Sequence, residues 1–84
     1  MRIKLREKLL EVEAIQWTGN NLEEIEQFTE QDLSNFPSNR VNIWNEEVQD
    51  WIYCPVGHYV IKGIKGEFYP CSPEALEKSY DKIE

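Results

Sequence analysis

From Val41 to Cys71 the chain is broken at short intervals by turn-forming residues, and that spacing decides most of what it can fold into. Val41, Ile43 and Trp44 lead into Asn45-Glu46-Glu47. The run Val48 to Tyr53 ends at Pro55-Val56-Gly57, and Tyr59, Val60 and Ile61 stop at Gly63-Ile64-Lys65-Gly66, before Glu67 to Cys71. Such runs are too short for helices, which need about 10–12 residues, and their β-branched and aromatic content suits strands. Short turns join antiparallel neighbours, so the expectation is an antiparallel meander. Gly63 and Gly66, at the two ends of Ile64-Lys65, are expected to supply the positive φ angles of a tight turn.

Upstream, acidic and apolar residues alternate from Leu10 to Ala14, the period of a half-buried strand, within a strand expected over 9–17. Gly19 and Asn20 end it. Asn20 with Glu23 has the spacing of a helix-capping pair. Leu22, Ile25 and Phe28 then give one apolar face to a helix expected over 21–31, with acids in its first turn favoured by the helix dipole. Trp17 and Phe28 are expected in the core. Residues 32–40 are turn-rich and read as a loop. Ser72-Pro73-Glu74 starts a second helix, with Ser at the N-cap and Pro at the first helical position; its apolar face is Leu76 with Tyr80 or with Ala75. Lys82-Ile83-Glu84 is either a short edge strand or a frayed end. Together these patterns predict an α+β fold: a small antiparallel sheet of four to five strands with one or two helices packed on it, in a single domain over 1–84. A domain of 84 residues buries only roughly 60% of its unfolded surface, so self-association would add stability.

The net charge is −7, which argues against general nucleic-acid binding, where clustered Lys and Arg must neutralise phosphates. Residues 1–10 are basic, through Arg2, Lys4, Arg6 and Lys8, whereas residues 11–50 hold ten acids and one base, Arg40. The acidic stretch is either a solvated face or a surface matched to a basic protein, with Glu23, Glu24, Glu26, Glu46 and Glu47 as its candidate contacts. No run approaches the roughly 20 apolar residues of a membrane span, and the charged N-terminus lacks the apolar region of a secretion signal. Both features predict a cytoplasmic protein with Cys54 and Cys71 as free thiols. Cys54, His58 and the distant Cys71 do not make a four-ligand zinc site, so neither metal nor cofactor is expected.

Catalysis is not expected either. His58 is the single imidazole, and Cys54 is the nearest thiol, but no Asp or Asn beside them suggests the orienting group that a nucleophile–base pair needs. Gly63 and Gly66 lack the Lys-Ser/Thr ending of a phosphate-binding loop. The most suggestive cluster is Lys62, Lys65, Tyr59, Trp51, Phe68 and Tyr69. In a hairpin of 59–63 with 66–71, Tyr59, Ile61 and Gly63 share one face, Val60 and Lys62 the other, and Phe68 and Tyr69 point opposite ways. If one aromatic set lies outside with the lysines, it can stack a base and pair a phosphate. Otherwise the aromatics are core and the lysines protect a sheet edge.

The segments Trp51-Ile52, Gly57-His58-Tyr59-Val60-Ile61-Lys62-Gly63 and Gly66-Glu67-Phe68-Tyr69-Pro70-Cys71, with Pro73, Tyr80 and the start Val12-Glu13-Ala14-Ile15-Gln16-Trp17-Thr18-Gly19-Asn20, resemble small uncharacterised proteins of bacteriophages and prophages of Gram-positive hosts. Residues 29–50 carry none of the likeness. Where that family's turn often reads Pro-Gly-Asp-Tyr, Val56 here separates Pro55 from Gly57 and His58 replaces the acid. The resemblance implies a phage accessory protein. The expected function is non-enzymatic binding in the host cytoplasm, foremost inhibition of a host defence protein. The alternatives are a protein that sequesters a small nucleotide signal, and a virion assembly or structural accessory protein.

Overall fold

The structure, a computed structural model, describes residues 1–34, 36–37 and 40–83. The expectations for Asn35, Ser38, Asn39 and Glu84 fall outside the described residues. The elements run β1 (Arg2–Leu5), β2 (Leu10–Gln16), α1 (Leu22–Thr29), β3 (Val41–Asn45), β4 (Asp50–Cys54), β5 (Tyr59–Lys62), β6 (Phe68–Cys71), α2 (Pro73–Ser79) and β7 (Tyr80–Lys82). The α+β class is as the patterning predicts. The topology is not a simple meander. Five strands form one sheet in the order β6-β5-β2-β1-β7, with every recorded pairing antiparallel, while β3 and β4 make a separate two-stranded hairpin.

β1 is an interior strand of the sheet although residues 1–10 read first as a basic stretch. Arg2 and Lys4 alternate with Ile3 and Leu5, the same period-two signal as in β2. Ile3 is fully buried, and β1 pairs with β2 on one side and β7 on the other. The stretch's charge is also put to use. Arg6 donates from Nη1 to the carbonyl of Lys78 at 2.7 Å and from Nη2 to that of Glu77 at 2.7 Å, and its Nε meets Asp81 Oδ1 at 2.8 Å. These carbonyls end α2, where backbone acceptors have no intrahelical partner.

Because successive strand residues face opposite ways, the sheet has two apolar faces. Ala14 and Ile61 stand opposite one another and point, with Ile3, toward Leu76 of α2. Their neighbours Ile15 and Val60 point the other way, into a cluster with Trp17, Ile25 of α1, Leu33, and Val41, Ile43 and Cys54 of the hairpin. The sheet is thus covered by α2 on one side and by α1 with the β3–β4 hairpin on the other.

Local chemistry corrects several expectations. The residue before α1 is Asn21, not Asn20, and its side chain makes no bond to the helix. Its Nδ2 donates to the Gln16 carbonyl at 2.8 Å and its Oδ1 accepts from Thr18 N at 2.9 Å, stapling the end of β2 to the helix start. At α2 the cap is as expected: Ser72 Oγ accepts from Ala75 N at 3.1 Å ahead of Pro73. Of the two turn glycines, only Gly66 has positive φ, +84°. Gly63 leaves room for the Glu67 carboxylate, which a Cβ there would displace. The segment 32–40 is not wholly a surface loop, because Leu33 is buried in the core.

Candidate functional site

The hairpin's two faces differ. Val41, Ile43 and Cys54 point inward to the core. Alternation therefore sends Asn42, Trp44, Trp51 and Tyr53 outward. In the ladder Trp44 stands directly opposite Trp51, and Asn42 opposite Tyr53. The indoles meet edge-to-face with centroids 5.3 Å apart, and Phe36 meets Trp51 edge-to-face at 5.1 Å. Arg40 lays its guanidinium over the Tyr53 ring, 4.5 Å from the centroid. Trp51 is 42% exposed and Tyr53 49%, so both rings look into solvent.

Hydrogen bonds fix this face in place. The Gln31 side chain accepts from Trp44 N at 2.9 Å and donates to the Trp44 carbonyl at 3.1 Å, as a neighbouring strand would. The Trp44 indole donates to Glu46 Oε2 at 2.7 Å, and Gln49 Nε2 donates to Glu46 Oε1 at 3.0 Å. The indole N–H, with the Gln49 amide, holds the Glu46 carboxyl below the usual carboxylate range. Asn45 ties the hairpin to the sheet: its Nδ2 donates to the Phe68 carbonyl at 2.8 Å and its Oδ1 accepts from Val48 N at 3.0 Å.

The structure does not gather the six residues expected to bind a ligand. Tyr59 and Tyr69 pack on the α2 side of the sheet, and the Tyr69 hydroxyl lies 3.2 Å from that of Tyr80. Phe68 packs on the opposite side, edge-to-face with Phe28 at 5.8 Å. Lys62 is exposed and stands across from Glu13 in the ladder. Lys65 Nζ lies 3.8 Å from Glu47 Oε1, on an open recess of about 300 Å³ that it lines with Glu46, Glu47, Gly66 and Glu67. Only Trp51 of the six belongs to the aromatic face.

The five candidate acids separate too. Glu23 and Glu24 are exposed on the first turn of α1, and Glu46 and Glu47 are exposed in the β3–β4 turn. Glu26 is structural: its Oε2 accepts from Leu33 N at 2.9 Å and holds the segment after α1. Cys54 is fully buried, and burial pushes its thiol up to about 11, so it makes a poor nucleophile. Both cysteines are free thiols. Among the described residues, no helix is long and apolar enough to cross a membrane.

Sequence reasoning missed Trp44, Tyr53, Phe36 and Arg40. The signal for the first two was present: once Asn45 and Asp50 bracket the turn, strand register places Trp44 against Trp51 on the face opposite Ile43. Phe36 and Arg40 come from a segment with no periodicity to read. No protein-family model, curated protein or solved structure matches this chain.

Proposed function

We propose that this chain is a phage-encoded, non-enzymatic binding protein that acts in the host cytoplasm by covering a surface of a host protein, a defence component being the leading case. One observation supports the reading above all: Trp51 and Tyr53 stand exposed on the β3–β4 hairpin, flanked by Trp44, Phe36 and Arg40. Interfaces concentrate Trp, Tyr and Arg at their centres and polar groups at the rim. Large exposed aromatics in contact with one another are otherwise an aggregation liability. The acidic groups Glu23, Glu24, Glu46 and Glu47 add long-range attraction for a basic partner. The nucleotide-signal reading has less support, since Lys65 is paired with Glu47 and the tyrosines beside Lys62 pack on the sheet's far face.

The test is phage plating on a defended Gram-positive host expressing the chain. Plating should rise, and the chain should purify with the defence component at fixed stoichiometry. Reversing Glu23 and Glu24 to Lys, with Glu26 kept because it holds Leu33, should reduce the protection. Unchanged plating together with recovery of the chain in purified virions would move the structural role to the front.

A further inference from the structure

We propose that the aromatic face of β3–β4 receives an arginine-bearing segment of the partner protein, its guanidinium stacking on the Trp51 ring with Glu46 as counter-charge. This deepens the reading above and rests on it. The face already holds one guanidinium, that of Arg40 over Tyr53 at 4.5 Å. Trp is a stronger cation–π acceptor than Tyr, and Trp51 is 42% exposed. Its neighbour Trp44 carries the Glu46 carboxylate on its indole N–H at 2.7 Å. That bond and the one from Gln49 hold the Glu46 carboxylate beside the rings, so the Trp44–Trp51 end of the face pairs aromatic rings with a positioned negative charge.

Charge selects the occupant further. Residues 11–50, which supply Phe36, Arg40, Trp44 and Glu46 and lead directly into Trp51 and Tyr53, hold ten acids and only Arg40 as a base. A phosphate-bearing partner is repelled there, and a basic protein surface is attracted. Arginine fits better than lysine because a planar guanidinium stacks on an indole and still presents N–H groups in its plane to a carboxylate. On the β3 edge the backbone of Trp44 is closed by Gln31, so recognition there falls to side chains and not to an added strand.

The probe is a blocked peptide of three Arg-Gly repeats, titrated into ¹⁵N-labelled protein while the three indole N–H signals are followed. The Trp51 and Trp44 signals should shift saturably, and that of buried Trp17 should stay. The same peptide with citrulline for arginine should not bind. Trp51→Ala should weaken binding by about tenfold, the scale of one cation–π contact, and Glu46→Gln should weaken it by less. Equal binding of the citrulline peptide overturns the proposal. So does arginine-peptide binding that Trp51→Ala and Glu46→Gln both leave unchanged, with each variant folded by its amide spectrum. Protection of phage without peptide binding sinks the docking chemistry alone. Peptide binding without any effect on plating sinks the inhibitor reading and leaves the site.

Discussion

Trp17 and Trp51 are the same side chain in opposite circumstances. Trp17 directly follows β2 with 1% of its surface exposed, locked by Trp17 N to the His58 carbonyl at 2.9 Å and by Gly57 N to its own carbonyl at 2.7 Å. Trp51 sits on β4 with 42% exposed, its ring edge-to-face with those of Trp44 and Phe36. The five-stranded sheet spends its apolar residues on two faces that helices and the hairpin cover. The hairpin buries one face and offers the other to water. Burial of the first tryptophan stabilises the fold, and exposure of the second leaves its surface available to a partner.

The comparison breaks most visibly if the two tryptophans respond alike. Trp17→Ala should lower unfolding stability by about 3–5 kcal/mol, the cost of emptying a buried aromatic site, measured by urea denaturation. Phe28, expected in the same class from its sequence position, is only partly buried and should lose less.

Asn45→Ala asks how firmly the hairpin is tied to the sheet. It leaves the Phe68 carbonyl and Val48 N without their partners, and about 1–3 kcal/mol should be lost. Hydrogen exchange should accelerate in β3 and β4 more than in β2. An even change across both sheets would mean that they open as one unit.

The seal beneath the hairpin is tested by pH. Cys54 has its thiol raised from 9.0 to about 11 by burial. A raised group contributes nothing to the pH dependence below the unfolded value, since both states then hold the proton. Between pH 9 and about 11 the unfolded chain releases it and the folded one does not, so stability falls as pH rises. The wild type should lose up to about 1.4 kcal/mol per pH unit more than Cys54→Ala over that window. Identical slopes would show that water reaches the thiol.

On the other side of the sheet, Ser72→Ala removes the cap of α2 and should cost about 1 kcal/mol. The smallest effect belongs to the exposed indole: Trp51→Ala should change stability by less than about 1 kcal/mol, as surface substitutions do. If it destabilises as much as Trp17→Ala, the aromatic face is core and its role in binding falls.

Several elements were legible because one residue type settles them. Ser72-Pro73 fixes the start of α2, Pro55-Val56-Gly57 the turn before β5, and Leu22, Ile25 and Phe28 the inward face of α1. β1 was hidden by its own charges, since Arg2 and Lys4 draw attention from the Ile3 and Leu5 between them. The capping role read for Asn20 failed because an amide side chain bonds whichever backbone groups folding brings near, and Asn21 found Gln16 and Thr18 first. The six ligand candidates are dispersed for a related reason. Tyr59, Phe68, Tyr69 and Trp51 are near in sequence, yet the pleat and the chain's departure into a second sheet send them to different faces.

The sequence by itself determined the α+β class, the strand periods, the turns and the acidic character of the middle segment, because each follows from local conformational preference or from counting charges. Tertiary structure alone decided that β3 and β4 leave the main sheet, that Arg6 closes the end of α2, that Glu26 holds Leu33, and that Trp44, Trp51, Tyr53 and Arg40 meet on one exposed face. Each of those outcomes depends on groups far apart in the chain competing for the same partners and the same burial, and only the folded arrangement settles that competition.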